Sequence, residues 1–352
     1  MKKEKTIKTI CTFFVIGLIL AACGGAAQPA VPTATIAVKA PTTPPQPTAI
    51  PTPALPTMVE YKHPSNSFSI SVPADWTSSE NSGYVMLSSP DQTALVELFA
   101  ENTVNALDAD AFTIAINAFE FNIFSPNKNY KETKRDVQTD KGYAIITKTL
   151  DVNTIPFQAS TIYEQIGKVL YVESYYTAVS AVSQSGPIFT AMDNSFKSNP
   201  AYAEDLAPFT SAPFTYTDPG NLYRLLIPSL WTFADPQKDG SVITYTSPDN
   251  AAVIMLVKID LGKTVTRALA DSSALDFLKA MSGDTRVSKT EALKSGSIKM
   301  TWASKTSNVQ GTSIYKWRGT TWFFLTWLLN SSLEKTYSLA LDQSLISYEL
   351  PE

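Results

Sequence analysis

Phe68-Ser69-Ile70-Ser71-Val72-Pro73-Ala74-Asp75-Trp76 and Tyr223-Arg224-Leu225-Leu226-Ile227-Pro228-Ser229-Leu230-Trp231 stand 155 residues apart and share one pattern. In the first stretch Phe68, Ile70 and Val72 alternate with serines, the period of a half-buried strand, and Pro73 ends it. Pro64 and Pro219 keep the same offset. Working outward, Ser89-Pro90-Asp91 pairs with Ser247-Pro248-Asp249 at offset 158, and Gly142 with Gly296 at 154. Ile162, Tyr163 and Gly167 pair with Ile314, Tyr315 and Gly319 at 152, and Ala191, Asp193 and Ser195 with Ala340, Asp342 and Ser344 at 149. A collinear series whose order never changes is the signature of an internal duplication.

The elements of one copy follow from period and punctuation. Tyr84 to Leu87 and Ala94 to Phe99 flank Ser89-Pro90-Asp91-Gln92, where proline at the second position suits a type I turn, so this is a hairpin. Asp108 to Phe124 reads as a helix capped by Asp108 or Asp110, with Phe112, Ala115, Ile116, Phe119 and Ile123 on one face. Its counterpart is Asp271 to Ser282, with Gly283 as C-cap. Gly142 to Leu150, Phe157 to Ile166 and Val169 to Tyr176 read as three more strands, and a closing helix spans about Pro187 to Lys197, mirrored by Leu333 to Ser347. Each copy is therefore expected to run β-β-β-α-β-β-β-α. The fold class is α+β: two tandem units, each a mostly antiparallel sheet flanked by helices. Trp322-Phe323-Phe324-Leu325-Thr326-Trp327-Leu328-Leu329 is apolar on both faces, which predicts a central strand covered on both sides.

The N-terminus carries a different message. Lys2, Lys3, Lys5 and Lys8 precede an apolar run from Ile10 to Leu20. Eleven residues are too few for a bilayer-spanning helix, which needs about 20, so residues 1–22 read as a secretory signal peptide. Leu20-Ala21-Ala22-Cys23-Gly24 resembles the lipobox of bacterial lipoproteins. That resemblance implies cleavage between Ala22 and Cys23 and lipid attachment at the Cys23 thiol. Acyl chains contribute about 0.8 kcal/mol per buried methylene, so two or three hold a soluble domain on a membrane. Residues 23–57 are then the lipidated cysteine and a tether. Ala26 to Thr57 hold nine prolines, seven threonines and eight alanines with Lys39 as the sole charge, so they favour extended polyproline II. At about 3.1 Å per residue this stalk reaches roughly 100 Å. The remaining divisions are a first unit over 58–200, a linker over 201–213 and a second unit over 214–352.

Composition narrows the chemistry. The chain has 352 residues, 44% apolar and 17% charged, a globular composition of about two domains. Its formal charge is −4, and removal of residues 1–22, with four lysines against one glutamate, takes it to −7. An acidic body speaks against nucleic acid as a partner, because phosphate contacts need clustered Lys and Arg. One histidine, His63, and two cysteines, Cys11 and Cys23, leave no material for zinc clusters, disulfide frameworks or a cysteine nucleophile in the mature body. No phosphate loop, dinucleotide fingerprint or nucleophile elbow occurs, and no cofactor or metal is implied.

The motif from Phe68 to Trp76 resembles the opening of the PsbP-like fold, whose members begin with an aromatic-x-Ile-x-x-Pro-x-x-Trp hairpin and continue as an antiparallel sheet between helices. The resemblance covers roughly 60–198 and 214–350. Members include photosystem extrinsic subunits, a nuclear-import factor that binds Ran, and bacterial lipoproteins. It implies a use in binding and assembly without naming a ligand. The second copy departs from the motif where Leu230 stands in the place of Asp75.

Individual residues are then weighed. Trp76 and Trp231 end a strand in both copies, where a large aromatic closes a core or stacks on a ligand. Trp317 and Trp322 belong to the aromatic run of the second copy and either fill a core strand or line a groove between the units. These four tryptophans are the ligand-binding candidates; no catalytic residue is assigned. His63, before Pro64, reads as a solvated loop residue, and Asp91 and Asp249 as turn residues. The expected function is a non-enzymatic binding or assembly module, lipid-anchored to the cell membrane on its extracytoplasmic face. Its partners are the membrane, through the N-terminal lipid, and an unidentified protein or small ligand. The alternatives are a carboxylate-dependent hydrolase of envelope glycans, which needs no histidine, and a structural spacer or adhesin. The anchor is checked by metabolic labelling with a fatty acid: the wild-type chain takes up label and Cys23→Ser takes up none, whereas label on Cys23→Ser removes the anchor.

Overall fold

A computed structural model describes residues 55–81 and 84–349. The expected signal peptide, Cys23 and the expected tether up to Ala54 lie outside the described residues. The chain divides by contacts at Ala54, and Leu55–Glu352 is one compact unit. Within it the first half contains β1 (Met58–Lys62), β2 (Phe68–Pro73), β3 (Thr77–Asn81), β4 (Tyr84–Ser88), β5 (Ala94–Asn102), α1 (Ala109–Phe119), β6 (Lys131–Gln138), β7 (Tyr143–Val152), β8 (Ile155–Ile166), β9 (Val169–Ala178), α2 (Val182–Ser195) and β10 (Lys197–Ser198). After α3 (Pro200–Ala203) the second half contains β11 (Pro213–Thr217), β12 (Arg224–Pro228), β13 (Thr232–Ala234), β14 (Val242–Thr246), β15 (Ala252–Asp260), α4 (Arg267–Ser282), β16 (Arg286–Ala292), β17 (Ile298–Ser304), β18 (Val309–Arg318), β19 (Thr321–Asn330) and α5 (Glu334–Ile346).

Each half builds a seven-stranded antiparallel sheet, β3-β4-β5-β9-β8-β7-β6 and β13-β14-β15-β19-β18-β17-β16. The α+β architecture of two tandem units is therefore present, with the same strand order in both. The apolar strand β19 is central, as its sequence requires, and so is β9, all ten of whose residues are buried. The loops match as well. In both Ser-Pro-Asp turns the serine hydroxyl donates to the aspartate at 2.7 Å and accepts an N–H five residues on at 3.0 Å. Trp76 and Trp231 each donate their backbone N–H to the proline carbonyl three residues earlier at 3.1 Å.

Three expectations need correction. The strand Phe68–Pro73 is not part of the main sheet; it pairs with β1 and β10 in a separate three-stranded sheet, and β11-β12 is its two-stranded counterpart. The main sheets are completed instead by polar edge strands, β3 (TSSEN) and β6 (KETKRDVQ) in the first half and β16 (RVSKTEA) in the second. Such polar strands, bulged in β6 and β16, lack an apolar period because they protect a sheet edge. Second, the closing helices register at offset 152, not 149. Ser195 and Ser347 each cap back onto the first hairpin, accepting the N–H of Ser71 and of Leu226 at 2.8 Å. Asp193 therefore corresponds to Leu345, and Asp342 to Thr190. Third, residues 201–213 are no free linker. Phe209, 1% exposed, stacks on Tyr337 at 5.6 Å and meets Trp231 edge-on. Thr210 and Ser211 donate their N–H groups to the buried Glu101 carboxylate at 3.1 Å, and Asn102 donates to the carbonyls of Glu204 and Leu206.

One hydrophobic core consequently runs through both halves. At the junction the π-helical turn Glu120–Phe124 after α1 presents Asn122, which donates to the carbonyls of Ser229 and Trp231 at 2.8 Å, while Phe121 stacks on Phe233. Beneath α1, Lys148 is fully buried. It pairs with Glu120, donates to Thr161 at 2.9 Å and lies over the Phe124 ring. The equivalent position in the second half is Trp302, whose indole N–H donates to Ser313 at 2.9 Å. The hydroxyl pair behind, Thr161–Ser174 and Ser313–Thr326, is kept in both. A bulky indole in place of a thin lysine stem demands room, and Gly311 stands where the first half has Ala159. A Cβ on Gly311 would lie 2.6 Å from the Trp302 ring and 2.3 Å from the Trp327 carbonyl. Gly311→Ala is thus expected to cost about 1–3 kcal/mol as an overpacked core, read from the denaturation midpoint; a neutral result means the indole does not sit on this glycine.

Candidate functional site

The sequence candidates disperse on folding. Trp231 and Trp322 are 0% and 1% exposed. Trp231 closes the junction core and Trp322 stacks on Phe324 against Phe277, so neither offers a face to a ligand. Trp317 is half-buried at the end of β18, opposite Trp322. Trp76 is half-buried and meets Phe189 of α2 edge-on at 6.3 Å. Its ring partner Phe189 lines a cavity beneath α2. His63 is not solvated: it is 6% exposed, stacks on Phe68 at 4.8 Å and lies 2.7 Å from the Ser65 hydroxyl. Burial lowers its pKa. The matching loop of the second half buries Asp218 instead, which takes the N–H of Gly220 and the ammonium of Lys258.

The first cavity lies between α2 and the outer face of the first sheet. Helix α2 is tied down at both ends, by Thr177 donating to Ser185 at 3.1 Å and by the Ser71–Ser195 bond. Between these anchors a volume of about 260 Å³ is bounded by Ser160 and Ile162 of β8, Tyr175 of β9, and Val182, Phe189 and Asp193 of α2. Tyr175 and Phe189 rings stand 5.3 Å apart. The second half repeats the place, between α5 and β17–β18, with a volume of about 320 Å³. Three equivalent positions line both, Ile162 with Ile314, Thr190 with Asp342 and Asp193 with Leu345. Each cavity thus lies within one half rather than between the two.

A carboxyl lies close to the first cavity. Glu173 is a cross-strand partner of Ile162, is 4% exposed and accepts the Tyr175 hydroxyl at 2.7 Å. Burial pushes its pKa up to about 8, with Asp193 and Glu164 adding to the rise. Asp193 is itself raised by burial. Glu101, beneath the segment Thr210–Ser211, is pushed up to about 8 by burial against its two N–H donors. Among the described residues no group of three or more His, Cys, Asp or Glu side chains could hold a metal ion. No described helix is long and apolar enough to cross a membrane.

One wall of the cavity breaks a local rule. Gly186 and Pro187 sit together inside α2, where they cost about 1 and about 3 kcal/mol relative to alanine. A Cβ on Gly186 meets nothing within 4 Å outside its chain neighbours. Glycine does relieve the crowding that a following proline imposes on the residue before it. The sequence reading missed Gly186, Tyr175, Phe189 and Glu173; it began the closing helix at Pro187, whereas the helix starts at Val182 and carries Gly186 and Pro187 within it.

No protein-family profile matches the chain, and no curated protein matches it. Solved structures similar to it include a Bacteroides thetaiotaomicron protein at 13% identity and TM-score 0.29, covering 48% of this chain. The chain spans about half, 52%, of that protein's length. The cyanobacterial PsbP (CyanoP) of Synechocystis is similar at 12% identity and TM-score 0.31, over 42% of this chain and 95% of CyanoP. A Pseudomonas aeruginosa protein of unknown function, PA94, is similar at 12% identity and TM-score 0.26, over 43% of this chain and 96% of its own. These scores leave ligand and activity to be argued from the chain itself.

The buried carboxyls set a pH dependence. Native Glu173 keeps its proton up to about pH 8, whereas the unfolded chain releases it near the ordinary 4.5. Its contribution to stability is full below that ordinary value and is lost as pH rises toward 8. His63 works in the opposite sense: its depressed pKa gives stability above the ordinary 6.5 that is lost as pH falls. Glu173→Gln is neutral throughout, so the loss of unfolding free energy between about pH 5.5 and 8.5 is expected to shrink by about 2–3 kcal/mol. Denaturant titrations at several pH values check this, and an unchanged slope means Glu173 is ionised in the native protein.

Proposed function

We propose that the chain is a binding module of the cell envelope, lipid-anchored at Cys23 on the extracytoplasmic face, whose two tandem units are PsbP-like. Its ligand is a small molecule held in the cavity beneath α2. The lipobox and the Pro/Thr/Ala tether support the anchor. The Phe68–Trp76 motif and the order of elements support the PsbP-like reading. The observation that carries the binding reading is the Gly186-Pro187 pair. A folded chain retains residues that disfavour its own helix where function needs them, and here Gly186 of the pair lines the cavity while the helix runs on through both residues. A spacer or adhesin gives no account of that pair. A glycan hydrolase needs two carboxyls presented to one substrate, and Glu173 is not among the residues that line the cavity beside Asp193.

The test separates stability from binding. Replacing the pair with helix formers, Gly186→Leu with Pro187→Ala, should stabilise the fold by about 1–3 kcal/mol while the new side chain fills the cavity. With 2-phenylethanol as the probe, ligand-observed NMR should detect weak binding to the wild-type chain and none to the double variant. A double variant that unfolds, or that binds the probe as well as wild type, contradicts the reading.

A further inference from the structure

The two cavities occupy equivalent places but differ in the charges around them, acidic in the first and mixed, with Asp342 and Lys299, in the second, and the difference falls on specific positions. In the first half Asp193 lines the cavity, Glu173 stands beside Ile162 on the neighbouring strand, and Glu164 follows two residues after Ile162 on the same face of β8. The equivalent positions in the second half are Leu345, Leu325 and Lys316. There the cavity also gains Lys299, where the first half has Ile145. The one acid lining the first cavity, Asp193, and the two beside it, Glu173 and Glu164, are thus replaced at equivalent positions by apolar or basic residues, while the second cavity carries its acid, Asp342, at the Thr190 position. Packing does not require this, since both sheets and both helices keep their registers.

We propose that the first cavity takes a compact organic ammonium ion, a positively charged nitrogen on an aromatic or aliphatic body about the size of one ring. This rests on the small-ligand reading given above and adds the chemistry of the ligand. The apolar body fits against Ile162, Val182 and Phe189, and the ring faces of Tyr175 and Phe189 attract a cation. The charge fits because the carboxyls lack a counter-ion: among the described residues no Lys or Arg forms an ion pair with Glu173 or Asp193. The Asp193 charge opposes ionisation of Glu173, which is held protonated by burial, so a bound cation offsets that opposition and favours release of the Glu173 proton. The anionic body of the protein raises the local concentration of such a ligand.

Three probes of one shape test this on the full-length chain: 2-phenylethylammonium, neutral 2-phenylethanol and anionic phenylacetate. Calorimetry should give the ammonium ion an affinity at least about tenfold above the alcohol, with phenylacetate weakest, since about 1.4 kcal/mol of charge interaction corresponds to a factor of ten. Asp193→Asn, on an exposed carboxyl, should cut the preference for ammonium over alcohol several-fold, and Glu173→Gln should do the same where it folds. Asp342→Asn, in the second cavity, should leave it unchanged, and the Gly186→Leu, Pro187→Ala chain should bind none of the three. Equal binding of ammonium and alcohol overturns the charge assignment and leaves the cavity as a binding site. Binding of none of the three overturns both, and ammonium binding that survives the double variant or Asp193→Asn places the cation elsewhere and overturns the assignment.

Discussion

Strands β9 and β19 sit at the centre of their sheets with both neighbours paired and both faces covered, and the rest of each half is arranged around that burial. A strand in this position can expose no face to water, so every residue on it must be apolar or must find a partner inside. In β19 the first solution dominates: Trp322, Phe323, Phe324, Leu325 and Trp327 fill both layers. In β9 the second is used repeatedly. Tyr175 donates to Glu173, Tyr176 to Glu97, Ser174 shares a hydrogen bond with Thr161, and Thr177 holds the start of α2. Two halves of one topology have thus settled the same constraint with different chemistry.

The consequence reaches the junction. Polar groups buried in the first half are close enough to serve the second: Glu101 at the end of β5 holds Thr210 and Ser211, and Asn122 beyond α1 holds the Pro228–Trp231 turn. Removing a partner from such a group leaves a buried donor or acceptor unpaired, a cost of about 1–3 kcal/mol each. The fixed position of Phe209 between Trp231 and Tyr337 follows from these bonds, because its flanking backbone has no freedom to withdraw. The same polar style beneath α1 gives the buried Lys148–Glu120 pair, where the second half has an indole. A buried ion pair of this kind is weak evidence for stability.

Periodicity made much of this legible in advance. Alternation in Phe68–Val72, the turn chemistry of Ser89-Pro90-Asp91, the cap at Asp108 and the two-faced apolar run of β19 each specify local structure, and they appear as read. What escaped reading was of two kinds. Edge strands such as Lys131–Gln138 are polar by necessity and so carry no apolar period. The three-residue slip in the closing helix has a different origin. A helix repeats near 3.6 residues, so a shift of three keeps the apolar face almost in place, and Asp193 aligned plausibly with Asp342. Only a bond to another element, Ser195 and Ser347 to the hairpins, fixes the register. His63 was misread for a related reason, since the stacking partner that buries it, Phe68, lies across the hairpin and not beside it in sequence.

That corrected register is what gives the cavities their meaning. At offset 149 both would carry an aspartate at one helix position and look like copies of one site. At 152 the carboxyl stands on different turns of the two helices, and the acids of the first half face apolar and basic residues in the second. A duplicated fold that keeps its strand order, its turn hydrogen bonds and its helix caps has retained what folding requires. Charge at the exposed Asp193 is free of that requirement, because a solvent-connected side chain stabilises little. The divergence there falls where packing exerts least control and where a bound ion would exert most. The helix-disfavouring pair Gly186-Pro187 falls on the same helix, in the first half alone, with Ser338 and Leu339 at the equivalent positions in the second. Two departures from the shared pattern, one of charge and one of backbone, meet at a single cavity, and ligand recognition is the one demand that accounts for both.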